Sequence, residues 1–192
     1  MTRIILGAIC SAVAMFVLGF ILYATPLARI GYADIDNAQA AAVQQAMAAN
    51  LPKTGTYAIP GDDTAEKTNM YSSGPIATVH YNTKGFAAED VSMMAGGFAF
   101  YFVIALLIGL GLIGIDGRVT DFASRAKLVV AFAVAASAFT HLSEPIFMHH
   151  DWPHFIYLFV ADALLLAAGG LVIARWFLAR ANAAPAGAPT DV

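Results

Sequence analysis

The sequence predicts an all-α membrane protein with four transmembrane helices and a small mixed α/β extracytoplasmic cap between helices 1 and 2. Of its 192 residues, 59% are hydrophobic and only 12% are charged, whereas soluble domains carry about 25% charged residues. Four apolar segments approach the roughly 20 residues that span a bilayer. They are residues 4–24, 94–115, 128–148 and 155–174.

Composition and motifs argue against several classes of protein. The formal net charge is −3, and the ten lysines and arginines are scattered rather than clustered on one basic face, so nucleic acid is not an expected partner. Cys10 is the single cysteine and cannot form an internal disulfide. The sequence contains no nucleophile elbow, phosphate loop, dinucleotide fingerprint or metalloprotease helix. An enzyme is therefore not the first interpretation.

The chain divides into four predicted regions. Residues 1–24 form a transmembrane anchor, because their apolar run exceeds the 7–15 residues of a cleaved signal peptide. Residues 25–93 form the cap, and residues 94–180 form a three-helix transmembrane region. Residues 181–192 are expected to be a disordered tail.

The cap contains recognisable local signals. Residues 36–50 predict a helix, because good helix formers follow a capping aspartate and precede Pro52. Residues 55–60 and 75–81 predict two short strands, and a helical turn is expected at 65–70. A region of this size has little core of its own, so we expect it to lean on the outer ends of the helices.

Positive charges predict the orientation. Lysine and arginine near the ends of transmembrane helices favour the cytoplasm. The positive residues lie in the loop 116–127 and beside the first and last helices: Arg118, Arg125, Lys127, Arg3, Arg175 and Arg180. Both termini should therefore be cytoplasmic in a bacterial inner membrane, with residues 25–93 and 149–154 on the periplasmic side.

Short motifs in the cap carry one family resemblance. They are Gly55-Thr56-Tyr57 with Pro60, Gly74-Pro75, and Val79-His80-Tyr81 with Gly85. With the N-terminal anchor and three further spans, they make the chain resemble a family of small, uncharacterised bacterial four-span membrane proteins. The resemblance covers roughly a third of the chain. It implies the four-span architecture, and no activity, cofactor or site residue.

Three ionisable side chains form a predicted intramembrane polar cluster. His141 and Asp162 lie inside apolar segments, equidistant along the chain from the centre of the predicted turn at 149–154. They should lie at one depth and face each other. Glu144 follows His141 by three residues on the same helical face, and Pro145 should kink the helix. The cluster is either a polar clamp between helices or a proton or cation site.

The turn itself has a metal-binding composition. Imidazole suits copper, zinc, iron and nickel, and a thioether suits Cu(I). The candidate ligands are Met148, His149, His150 and His154. A haem would need His141 and a second histidine from the turn or His80. The alternative is an interfacial turn anchored by Trp152 with its histidines in water.

These observations favour a non-catalytic accessory or scaffold subunit of a larger membrane assembly. Four short segments with one polar cluster offer neither two matched halves with broken helices nor a recognisable active site. The alternatives are a periplasm-facing protein that handles copper or haem, and a proton-coupled carrier that uses His141 and Asp162. The expected partners are the lipid bilayer and a larger membrane complex.

The predicted orientation can be tested with fusions. A reporter active only in the cytoplasm should work after Val192 or near Thr120 and fail near Asp63, because the positive clusters share one side of the membrane. Activity of the Asp63 fusion would reverse the assignment of every site to the outer face.

Overall fold

The computed structural model describes residues 2–87 and 90–178. Arg180 and the predicted tail at 181–192 lie outside the described residues. In chain order the elements are α1 (Thr2–Tyr23), a 3-10 helix (Pro26–Gly31), α2 (Asn37–Asn50), β1 (Gly55–Ile59), α3 (Ala65–Ser73), β2 (Ala77–Tyr81), α4 (Val91–Ile115), α5 (Phe122–His141), α6 (Ser143–Phe147) and α7 (Trp152–Trp176).

Among the described residues, four helices are long and apolar enough to cross a membrane, which confirms the prediction. They are α1, α4, the pair α5 and α6 taken together, and α7. The third is interrupted at Leu142, between the end of α5 and the start of α6. Pro145 explains the break, because it has no N–H for the carbonyl of His141.

The hairpin turn is shorter than the predicted 149–154. Trp152, Pro153 and His154 form the first turn of α7. The Asp151 carboxylate accepts from the backbone N–H of His154, which caps the helix, and Pro153 suits a first-turn position. The connection between α6 and α7 is therefore only residues 148–151.

The described chain divides into two compact units, of which the smaller is Asp34–Asp90. Its predicted elements are confirmed. In α2, Asp36 and Gln39 form a reciprocal capping box. The strands β1 and β2 pair antiparallel, with Gly55 opposite Tyr81 and Ile59 opposite Ala77. The expected helical turn at 65–70 is the longer helix α3.

Local polar contacts fix the start of α3. Thr64 caps the helix by accepting from the backbone N–H of Lys67. The Lys67 ammonium donates to Asp63 at 2.7 Å and holds the pKa of that carboxyl below its ordinary value. No described residue of this unit is buried, so caps and turns rather than a core fix its local structure.

The boundary between the units falls after the predicted residue 25. The 3-10 helix, capped by Thr25, belongs with the long helices. Gly31 is buried against Tyr157, and a Cβ there would lie 3.1 Å from the Tyr157 side chain. His154 Nδ1 lies 3.1 Å from the carbonyl oxygen of Gly31. These contacts tie the segment to α7.

The larger unit is built on α1 and α7. Helix α1 packs against α4 and α7, and α7 packs against α1 and α5. Small residues permit close approach of these helices. The buried Ser11 hydroxyl donates to the carbonyl of Gly169 at 2.8 Å, and a Cβ on Gly170 would lie 2.5 Å from Val129 Cγ1.

A groove lies between α4 and α5. It has a volume of about 410 Å³ and is lined by apolar side chains of α4 and α5, together with Leu166 of α7. Beyond one end of the groove, the buried Arg125 of α5 forms an ion pair with Asp116 and donates to the carbonyl of Val119. The two helices are thus fastened at one end by the loop that joins them.

Candidate functional site

A hydrogen-bonded chain of three ionisable side chains lies among the long helices. The Tyr23 hydroxyl donates to Asp162 Oδ1 at 2.6 Å, and His141 Nε2 lies 2.7 Å from Asp162 Oδ2. Tyr23 ends α1, Asp162 lies in α7 and His141 ends α5. The chain of contacts therefore links three helices, and the predicted pairing of His141 with Asp162 is present.

The central helix determines this arrangement. Because α7 packs against both α1 and α5, its Asp162 can reach a partner on each side. Ten residues separate Asp162 from the start of α7, which places the carboxylate about 15 Å along the helix. A carboxylate at that depth needs partners for both oxygens, and Tyr23 and His141 supply them.

The contact with Asp162 uses only one of the two ring nitrogens of His141. Nε2 lies 2.7 Å from Asp162 Oδ2, and which of the two atoms donates depends on the tautomer of the ring. The other nitrogen, Nδ1, has no hydrogen-bond partner among the described residues.

Glu144 does not join His141 and Asp162 as predicted. Its Oε2 lies 3.2 Å from His150 Nδ1, at ion-pair distance. The break at Leu142 accounts for the difference, because Glu144 belongs to α6 and no longer continues the helical face of His141. The predicted cluster of three is therefore two separate pairs.

The predicted metal ligands serve different contacts. His150 stacks on Phe155 with ring centroids 5.3 Å apart, and His154 contacts the carbonyl of Gly31. His149 has a left-handed backbone with φ of 56°, and Met148 is exposed. Across residues 2–87 and 90–178, no three His, Cys, Asp or Glu side chains are placed to share a metal ion.

The two histidines named for the haem hypothesis outside the turn each use one ring nitrogen in another contact. His141 Nε2 lies 2.7 Å from Asp162 Oδ2. His80 Nδ1 lies 3.0 Å from the Thr56 hydroxyl in the β1–β2 ribbon. Each contact leaves the second ring nitrogen, so the haem hypothesis stays a prediction.

Tyr23 and Tyr101 are the site residues that the sequence reasoning missed. Both lie in segments that read simply as apolar helices, where a tyrosine indicates an interfacial anchor. The sequence feature that comes closest to indicating these two tyrosines is Gly19, which lies four residues before Tyr23 in α1. A Cβ there would lie 2.7 Å from the Tyr101 hydroxyl, so this glycine gives Tyr101 room against α1.

A pocket of about 150 Å³ adjoins the His141–Asp162 pair. Phe100 and Tyr101 of α4 form one wall, and Thr140, His141 and Asp162 supply polar atoms. The Thr140 hydroxyl is occupied by the carbonyl of Ala136. The Tyr101 hydroxyl has no hydrogen-bond partner in the described part of the chain. The pocket therefore combines apolar walls with two unused polar groups, Tyr101 and His141 Nδ1.

Comparison of the chain with protein-family models, curated protein sequences and solved structures finds no match. The functional argument therefore depends on the residues and geometry described above.

The link between His141 and Asp162 predicts an energetic coupling. In a double-mutant cycle of His141→Ala and Asp162→Ala, the interaction free energy should be about 0.6–2 kcal/mol, the range for interhelical polar contacts in membranes. Unfolding in mixed detergent micelles measures each free energy. The matched cycle of Glu144→Ala with Asp162→Ala should give no significant coupling, because Glu144 contacts His150. Equal coupling in both cycles would contradict the assignment of separate pairs.

Proposed function

We propose that the protein is an accessory or scaffold subunit of a larger membrane assembly in the bacterial inner membrane, with both termini cytoplasmic. The observation that supports this is the outward face of α4. This helix packs mainly on α1, which leaves one side of it without a neighbour in the described unit.

The outward face of α4 carries a regular stripe of apolar side chains. Val103, Leu107 and Leu110 are 50%, 59% and 44% exposed, and their spacings of four and three residues follow the repeat of a helix–helix seam. Gly114 continues the stripe, and a Cβ at that position would meet nothing within 4 Å. A partner helix could approach closely there. We name these four residues the α4 stripe.

The charges of the chain support the proposed orientation. Arg125, in the first turn of α5, forms an ion pair with Asp116 of the short loop between α4 and α5, on the side for which the positive residues predict the cytoplasm. Asp121 begins α5 in the same loop and accepts from the backbone N–H of Ser124, which holds the pKa of the carboxyl below its ordinary value. The ends of α4 and α5 at this loop therefore carry charged and capping residues, which suit contact with water.

The α4 stripe should contact a partner in intact membranes. A photoreactive amino acid at Leu107 should give a crosslinked product of discrete higher mass on illumination, identified by mass spectrometry. The matched control is Leu164 of α7, which is 49% exposed and lies outside the stripe. Lipid adducts alone at Val103, Leu107 and Leu110 would contradict the proposal.

The Tyr23–Asp162–His141 chain favours a second candidate, a proton-coupled role. Ionisable groups inside membrane helices commonly mark proton pathways. Here three of them are hydrogen-bonded in series across α1, α7 and α5. A proton that enters at His141 Nδ1 could be exchanged with Asp162 through the 2.7 Å contact.

Proton movement through the chain can be measured in liposomes that contain the purified protein and a pH-sensitive dye. An imposed membrane potential should drive proton uptake, and Asp162→Asn should abolish it with folding retained, because the amide cannot take the proton. Glu144→Gln is the matched control and should leave uptake unchanged. Equal uptake in wild-type protein and Asp162→Asn would remove this candidate.

A further inference from the structure

The apolar groove between α4 and α5 and the polar pocket beside His141 are neighbouring cavities. Ala136 of α5 and Leu166 of α7 line both. The lining residues of α5 run from Leu128 to His141, a rise of about 20 Å at 1.5 Å per residue. From this adjacency we infer that the two cavities together bind a lipid-soluble quinone, with its ring in the pocket and its hydrocarbon tail in the groove.

The groove suits a hydrocarbon tail. Its volume is about 410 Å³, and its lining residues, among them Ile108, Leu112, Leu128 and Phe132, are apolar. It begins near the fastened inner ends of α4 and α5 and leads towards the pocket. An extended chain can therefore lie along the two helices while its polar end reaches His141.

The depth of the pocket limits the charge and size of the ligand's polar head group. Asp162 is about 15 Å along α7 from its outer end, a depth at which a phosphate or ammonium headgroup would lose most of its hydration. A phospholipid head is therefore disfavoured. An anionic head would also meet the Asp162 carboxylate. The ligand should have a small, uncharged head.

The polar groups of the pocket select a head that accepts hydrogen bonds. His141 Nδ1 has no hydrogen-bond partner among the described residues, and it is a donor in the tautomer that carries the proton there. The Tyr101 hydroxyl is a second donor without a partner among the described residues. Both side chains line the pocket. The carbonyl oxygens of a quinone are uncharged acceptors for such donors.

The pocket wall favours a planar head. The rings of Phe100 and Tyr101 have centroids 5.8 Å apart and form an aromatic side of the pocket. Aromatic faces stack well on a flat ring. At about 150 Å³ the pocket has room for a single ring, whereas a bulky headgroup would not fit. These features distinguish a quinone from a fatty alcohol, which has neither a ring nor carbonyl acceptors.

The inference is independent of the proposed accessory function. The α4 stripe of Val103, Leu107, Leu110 and Gly114 lies beside the groove, and of its members none lines the groove or the pocket. A variant that blocks the groove should therefore leave crosslinking from Leu107 unchanged. Loss of crosslinking at Leu107 would leave quinone binding unaffected.

The test uses a benzoquinone with a ten-carbon tail, titrated into the purified full chain in mild detergent and followed by native mass spectrometry. Wild-type protein should form a saturable one-to-one adduct. Ala136→Phe should weaken binding at least tenfold, because Ala136 lies where the groove meets the pocket. Ala135→Phe is the matched control, since Ala135 is exposed and lines neither cavity. It should bind like the wild type.

A second variant tests the hydrogen bond to the ligand's head group. Tyr101→Phe keeps the ring and removes one donor, so binding should weaken about 2- to 10-fold, as expected for one hydrogen bond. Decanol, which has the same tail length, should compete only weakly. No saturable adduct, equal binding by the Ala135→Phe and Ala136→Phe variants, or equal competition by decanol would each overturn the inference.

Discussion

Asp162 places a carboxylate about 15 Å along an apolar helix that is long enough to cross a membrane, and the contacts of that carboxylate join three of the long helices. Tyr23 donates to one oxygen and His141 contacts the other. Since these partners end α1 and α5, the carboxylate fixes both helices to α7 at one depth. Removing either partner would leave one carboxylate oxygen of Asp162 without its hydrogen bond, which makes the three helices interdependent.

Small residues bring the long helices close together, and the same packing leaves a groove between α4 and α5. Ser11 and Gly169 bring α1 against α7, and Gly170 brings α7 against Val129 of α5. Helix α7 packs against both α1 and α5, so α4 packs mainly on α1, and α5 packs mainly on α7. A groove remains between α4 and α5. The same packing that stabilises the unit therefore creates the cavity.

Periodicity and charge were sufficient to predict the four long helices, the capped helix α2 and the two strands, because those signals are local. The pairing of His141 with Asp162 could be predicted by counting along a hairpin, since α-helical rise is constant. The partner of Glu144 could not, because the break at Leu142 changes the face on which Glu144 lies. Tyr23 and Tyr101 were missed because their roles depend on packing between helices distant in sequence.

The clamp and the proposed ligand site use different atoms of the same side chains. Stability requires His141 Nε2 and both oxygens of Asp162, all of which are engaged within the protein. Recognition of a quinone requires His141 Nδ1 and the Tyr101 hydroxyl, which are not engaged by described residues. A ligand bound at Nδ1 would therefore leave the contacts of His141 Nε2 and of both Asp162 oxygens in place. Ligand binding and the link between α5 and α7 are compatible for that reason.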